Sequence, residues 1–160
     1  MSASPKAHMT YRKMIESDLD AVMAIELKTY PHPWTRGIFE DSLKYGHLCR
    51  VVVHQEQILA YAVMIVAAGE AHILNICVDS EYQSRGIGHN LMNRLFASAR
   101  RYNVQSIFLE ARASNKIAMS LYQKLGFNEV GLRRNYYPAK KGREDAVILA
   151  LELRTICGVK

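Results

Sequence analysis

Apolar residues recur along this chain at two periods, about 3.6 in some stretches and 2 in others, and the changes of period mark out the elements. Tyr11 to Met14 reads as a short first strand. Leu19, Ala21, Val22, Met23, Ile25 and Leu27 then describe a helix to about Thr29, with Ser17 as its N-cap and Asp18 and Asp20 in its first turn. Pro31-His32-Pro33-Trp34 interrupts it, because proline cannot sit inside a helix without breaking it. Thr35 is placed to cap a second helix through Leu43. Leu48 to His54 and Ile58 to Ala67 are rich in β formers around the polar turn Gln55-Glu56-Gln57, a hairpin pattern. Gly69-Glu70 turns the chain into a further strand, Ala71 to Val78.

The second half continues the alternation. Ile87, Leu91, Met92, Leu95, Phe96 and Ala99 form a helical stripe, with Arg94, Arg100 and Arg101 on the opposite face. Gln105 to Ala111 reads as a strand. Asn115 opens a helix whose stripe is Ala118, Leu121, Tyr122 and Leu125, and Gly126 follows as its C′ residue. Phe127 to Tyr137 and Asp145 to Leu153 are two last strands joined by Pro138-Ala139-Lys140-Lys141-Gly142. The order β-α-α-β-β-β-α-β-α-β-β predicts an α/β fold: a mixed, mostly antiparallel central sheet with helices on both faces.

Composition narrows the class. The length of 160 residues suits one domain, expected over residues 9–160 behind a small polar lead, Met1 to His8, expected to be disordered. No apolar run reaches the 18 or so residues of a membrane span, and no signal-peptide core is visible, so no membrane role is expected. Cys49, Cys77 and Cys157 are odd in number and far apart; they make no metal or redox pattern, which points to a reducing cytoplasm and no bound metal. The net charge of +6 favours an anionic partner such as a polyphosphate cofactor. The basic residues are scattered except between Arg133 and Arg143, and no nucleic-acid motif accompanies them, so direct nucleic-acid binding is not expected.

The chemistry-bearing stretch is Asn75 to Leu95. An apolar strand ends at Val78, a polar corner follows, and Gln83-Ser84-Arg85-Gly86-Ile87-Gly88 leads into the amphipathic helix. A glycine-rich turn at a helix N-terminus presents several backbone N–H groups to an anion at the positive end of the helix dipole.

With that element order, Gln83-x-x-Gly86-x-Gly88 resembles the pyrophosphate loop of the GCN5-related N-acetyltransferase (GNAT) superfamily. Leu109-Glu110-Ala111-Arg112-Ala113-Ser114-Asn115, with Tyr122 and Leu125-Gly126-Phe127, is similar to that family's next motif. Pro33-Trp34-Thr35, Arg133-Arg134-Asn135-Tyr136-Tyr137-Pro138 and Gly142-Arg143-Glu144-Asp145-Ala146 resemble the bacterial ribosomal-protein-alanine (RimI-type) branch. The resemblance covers roughly Met9 to Leu153. It implies acetyl-CoA as co-substrate, gripped by Ser84, Arg85, Gly86, Ile87, Gly88 and His89, although relatives carry Arg or Lys at the His89 position. It also implies a pantetheine arm along the backbone of Ile76, Cys77 and Val78, with a hydrogen bond from Asn115. The Val78 N–H would polarise the thioester carbonyl.

The same resemblance makes Glu110 the base, burial at the end of an apolar strand raising its pKa toward neutrality, and Tyr122 the acid. Read without it, Glu110 is a strand-end carboxylate paired with Arg112 or solvent, Tyr122 is core, Asn115 is a helix cap and Cys77 is packing. Trp34, Tyr136 and Tyr137 would flank the substrate amine, or form a local hydrophobic cluster. The implied activity is acetylation of a protein N-terminus, a ribosomal protein's alanine in the RimI branch. The alternatives are a lysine or small-amine acetyltransferase of the same fold and a non-catalytic acyl-CoA-binding module.

Overall fold

The computed structural model describes residues 8–153. The expected lead lies outside them apart from His8, and so does Cys157. In chain order the elements are β1 (Thr10–Lys13), α1 (Leu19–Thr29), α2 (Arg36–Lys44), β2 (Leu48–His54), β3 (Gln57–Ala67), β4 (Glu70–Val78), α3 (Ile87–Arg101), β5 (Ser106–Arg112), α4 (Lys116–Lys124), β6 (Asn128–Pro138) and β7 (Arg143–Glu152). That is the order the periodicity predicts. Among the described residues the strands form one mostly antiparallel seven-stranded sheet, β1-β2-β3-β4-β5-β7-β6, in which β4 and β5 pair in parallel. The chain groups into two compact units: one of residues up to Ile65 with Asn75–Leu95, the other of Val66–Leu74 with residues from Phe96 onward.

The first unit buries one face of each helix. Leu19, Val22 and Ile25 of α1 and Phe39 of α2 pack with Val51 and Tyr61 in one cluster. Strand β3 is buried continuously from Ile58 to Met64, as a strand covered on both faces must be. The β2–β3 turn is tight because Gln55 and Glu56 both take positive φ (49° and 64°), the geometry of a two-residue hairpin. Thr35 caps α2 as predicted, its side chain accepting the Ile38 N–H at 3.3 Å. Ser17 does not cap α1. A 3-10 turn over Glu16–Asp18 leads into the helix and Asp18 takes the N-cap position. Its carboxylate turns away from the helix to two Arg12 nitrogens, 2.8 Å each, and to the Ile15 N–H at 2.8 Å. A bidentate guanidinium is a stronger partner than one helix N–H.

In the second unit, β4 pairs with β5 from Glu70↔Ser106 to Ile73↔Leu109, while β5 continues along β7 to Arg112. Glu110 therefore follows the last residue of the parallel ladder. Asn115 caps α4 by accepting the Ala118 N–H at 3.2 Å. At the other end Gly126 (φ 100°) lets the Phe127 N–H reach back to the Tyr122 carbonyl at 3.0 Å. The buried side chains of α4 are Met119 and Tyr122; Ala118, Leu121 and Leu125 are half-buried, so the inward face is turned toward Met119 from the expected stripe.

Candidate active site

The first unit holds the turn between β4 and α3 that the sequence offers as an anion cradle. Asp79 caps the Ser80–Tyr82 turn through the Glu81 N–H (3.1 Å) and forms an ion pair with Lys28 at 2.6 Å. Gln83 folds back so that its Nε2 donates to the Val78 carbonyl at 3.1 Å. Ser84 (φ 62°) and Gly86 (φ 81°) are both left-handed on either side of Arg85. Left-handed residues interleaved in this way turn successive N–H groups to one side, and α3 begins immediately after with its dipole behind them. Ser84 adopts this conformation without being glycine, a local strain of the kind that collects at ligand sites. The arrangement fits the diphosphate of a nucleotide thioester.

The flanking side chains are committed elsewhere. Arg85 stands 5.4 Å over the Tyr82 ring, and His89 shares a 3.1 Å hydrogen bond with Asn93 one turn further along α3. The Ile87 side chain is core, leaving its backbone and that of Gly88 at the helix entrance. On β4, the Ile76 carbonyl accepts the Tyr30 hydroxyl at 2.6 Å. Cys77 is buried, and burial pushes its thiol up, which suits packing rather than nucleophilic attack.

The loop between α1 and α2 is tied down by a residue the sequence reading does not single out. Glu26 is 1% exposed. Its Oε1 accepts the Tyr61 hydroxyl at 2.5 Å and the Asn75 amide at 3.0 Å, and its Oε2 accepts the Trp34 backbone N–H at 2.9 Å. Burial above all pushes the Tyr61 hydroxyl far up, so it stays a donor. Trp34 is half-buried, its ring 5.1 Å from Phe39. A signal for Glu26 was present: it falls seven residues after Leu19 and four after Val22, on the inward stripe, where a charged residue needs partners.

The second unit carries the acid–base candidates. Tyr122 is 7% exposed and meets Phe127 edge-on at 5.8 Å. Glu110 is not buried in apolar surroundings as expected. Its side chain is 27% exposed, and its Oε1 accepts from Arg133 Nε at 2.7 Å. Nor is Arg112 its partner. Arg112 donates to the Pro138 carbonyl (2.7 Å), reaches Glu144 at 3.3 Å, and stands 4.6 Å over the Tyr137 ring. Arg133 in turn lies 5.5 Å over the Tyr136 ring, and the two tyrosine rings meet edge-on at 4.9 Å. Burial, then the Glu110 charge, pushes the Tyr137 hydroxyl up to about 12.

Arg133 and Arg112 both pair with Ala146 of β7, so Arg133 shares a sheet face with Glu110; beyond it β6 bends. Pairing with β7 is irregular between Arg133 and Tyr137, where Asn135 takes φ 52°. Asp145 accepts the Asn135 N–H at 2.9 Å, and Arg143 donates to the Asn135 and Tyr136 carbonyls at 2.7 and 2.9 Å. Arg133, which the sequence offers as one end of a basic stretch, lies ahead of this bend and reaches Glu110. Among the described residues no cluster of three or more His, Cys, Asp or Glu converges as a metal site would, and no helix is long and apolar enough to cross a membrane.

Known proteins share this architecture. The acetyltransferase (GNAT) family profile matches residues 19–127. The [ribosomal protein bS18]-alanine N-acetyltransferase of Escherichia coli K12 is 38% identical over 144 residues, covering 90% of this chain and 97% of the relative. The protein of that name from Haemophilus influenzae is 35% identical over 137 residues, covering 85% and 93%. The crystal structure of the ribosomal-protein-S18-alanine N-acetyltransferase from Escherichia coli superposes with a TM-score of 0.86 at 37% identity, over 92% of this chain and 95% of that one. A family profile matched over most of the chain and relatives matched over nearly their whole length converge on one conclusion: this chain belongs to the GNAT acetyltransferase family and is an acetyl-CoA-dependent N-acetyltransferase.

Proposed function

We propose that the amine this enzyme acetylates is the α-amine of a protein N-terminus, and that its substrate is the N-terminal alanine of ribosomal protein bS18. One observation carries the reading: the 38% identity to the Escherichia coli enzyme of that name extends over 97% of the relative's length. A ribosomal substrate also implies a cytoplasmic site of action.

The thioester supplies an activated acetyl group. The chain's own residues have three tasks. The Ser84–Gly88 backbone and the α3 dipole hold the diphosphate, with Arg85 and His89 alongside, and Asn115 and the Ile76–Val78 backbone guide the arm. Val78 N–H draws charge onto the thioester oxygen as the amine attacks.

Glu110 takes the amine's proton, its carboxyl oriented by Arg133 at 2.7 Å. An α-amine of pKa near 8 costs roughly 1.4 kcal/mol to deprotonate at pH 7, against nearly 5 for a lysine near 10.4, so a carboxylate base suffices for the former. Tyr122 returns a proton to the departing thiolate. Trp34 of the first unit, and Tyr136 and Tyr137 of the second, are the aromatic side chains assigned to the peptide's first residues.

The test is a panel of alanine-terminated bS18 peptides with free and blocked N-termini, the blocked ones carrying lysine. Acetylation of free N-termini alone is expected. Equal reaction of the blocked peptides would overturn the reading in favour of a lysine acetyltransferase.

A further inference from the structure

The carboxylate of Glu26 is buried, has three hydrogen-bond donors, and takes no part in the chemistry above. Its two oxygens face different things. Oε1 receives Tyr61 of β3 and Asn75 of β4, both parts of the sheet. Oε2 receives the backbone N–H of Trp34, in a loop that holds two prolines and follows the end of α1. A single side chain thus ties that loop to two strands. Lys28 of α1 and Tyr30 just beyond it repeat the pattern, since Lys28 pairs with Asp79 at 2.6 Å and Tyr30 donates to the Ile76 carbonyl at 2.6 Å. Residues 26, 28 and 30 therefore fasten this corner to Asn75, Asp79 and Ile76, the end of the strand assigned to the coenzyme arm.

We propose that Glu26 is a positioning residue for substrate selection: it fixes the Trp34 loop on the coenzyme-binding strand and so sets where the incoming peptide terminus meets the protein. Built on the assignment of Trp34 to the peptide, it adds the device that holds Trp34 there. The anchoring bond joins a backbone N–H to a buried carboxylate, the stronger class of hydrogen bond and one screened from solvent. Two points on the sheet fix the carboxylate itself, so its Oε2 position is over-determined and the loop cannot drift without breaking a buried contact.

The chain contains one tryptophan, so emission excited selectively at tryptophan, past the absorption of its nine tyrosines, reports on this loop alone. Glu26→Met keeps the length of the side chain and removes its acceptors; Tyr61→Phe, the control, removes a neighbouring buried hydrogen bond and leaves Oε2 and Trp34 joined. Glu26→Met is expected to red-shift Trp34 emission and raise the peptide KM by about tenfold or more, with the acetyl-CoA KM within about twofold. Tyr61→Phe is expected to lower thermal stability while leaving the emission and the ratio of the two KM values unchanged. If Glu26→Met leaves either the emission or that ratio unmoved, Glu26 is structural only and the proposal is overturned. Hydrogen exchange on the wild-type enzyme covers the case in which the variant does not fold. The Trp34 amide should be protected at least about a hundredfold, and exchange at the rate of an open loop amide overturns the proposal. Trp34→Phe separates the two ideas: an unchanged peptide KM there removes Trp34 from the peptide site, whereas an unshifted emission in Glu26→Met removes the clamp.

Discussion

Replacing Glu110 by Gln should separate catalysis from stability. The structure bounds the stability side. Glu110 and Arg133 form a single 2.7 Å contact, with side chains 27% and 54% exposed. A pair this open to solvent contributes about 1 kcal/mol or less, and glutamine still offers Arg133 an acceptor in place. The urea midpoint should therefore move by well under 1 M for a domain of this size, where m is about 1–3 kcal/mol/M. The activity side is larger, because a lost general base typically costs about 10² to 10⁴ in rate. It should also depend on pH in a defined direction. At pH 7 only about a tenth of an α-amine of pKa near 8 is already neutral, whereas above pH 9 nearly all of it is. The deficit should be greatest near pH 7 and shrink toward pH 9.5. Initial rates of thiol release with saturating acetyl-CoA and an alanine-terminated peptide, from pH 6.5 to 9.5, measure it. A kcat/KM within about threefold of wild type at pH 7, or a deficit that tracks a collapse in the urea midpoint, would refute the assignment of Glu110 as base.

Three further outcomes follow from the same geometry. Tyr122→Phe keeps the ring that meets Phe127 at 5.8 Å, so folding and acetyl-CoA KM should hold while kcat falls about a hundredfold; turnover near wild type would exclude it as the acid. Asp145→Ala and Arg143→Ala release the left-handed bend at Asn135, and each should raise the peptide KM about tenfold with little change in acetyl-CoA KM. A parallel rise in both KM values would show that the bend serves the fold and not the substrate. Arg12 holds the Asp18 carboxyl below its usual value through hydrogen bonds, against the opposing effect of burial. A depressed carboxyl adds stability above its unfolded pKa near 3.8, and that stability is lost as pH falls through the lower folded value. Arg12→Met should thus cost about 1 kcal/mol near neutrality, allowing for the solvent reaching Arg12, and in acid-titrated thermal melts the gap from wild type should begin to narrow below about pH 4 and close beneath the depressed folded value.

What the sequence discloses here is chemistry acting over a few residues. Thr35 and Asn115 cap their helices three residues ahead, and Gly126 ends α4 where a left-handed residue is needed, so each is visible in a short window. The α3 stripe is legible for the same reason, since 3.6-residue periodicity is a local property, and all six of its predicted core residues are buried. Ser17 shows how this reasoning fails. Locally it is a good cap, but the structure places Asp18 there, because Arg12 on a neighbouring strand supplies two charge-assisted hydrogen bonds to the carboxylate. The α4 face keeps Tyr122 but takes Met119 in place of Leu121, both apolar; only packing decides between them.

The candidate site was less legible because its residues are defined by partners far along the chain. Glu110 meets Arg133 at a separation of 23 residues, Tyr61 meets Glu26 at 35, and Lys28 meets Asp79 at 51. A strand-end carboxylate next to an arginine, as in Glu110-Ala111-Arg112, invites a local pairing, yet alternate residues of a strand share a face that β7 and β6 can contest. Arg133 pairs with Ala146, as Arg112 does, just before the bend at Asn135, and so shares a face with Glu110; Arg112 goes to Glu144 and the Tyr137 ring instead. The bend depends on Arg143 and Asp145, across the hairpin, so four positions that read separately as a basic stretch and a turn act as one unit. Glu26 is the case in which the sequence did carry a usable sign. A carboxylate on the buried stripe of an amphipathic helix is costly unless several donors converge on it, and such donors fix its position. A charged residue in phase with a helix's apolar face is thus a reason to look for what it holds in place, and here what it holds is the backbone of Trp34.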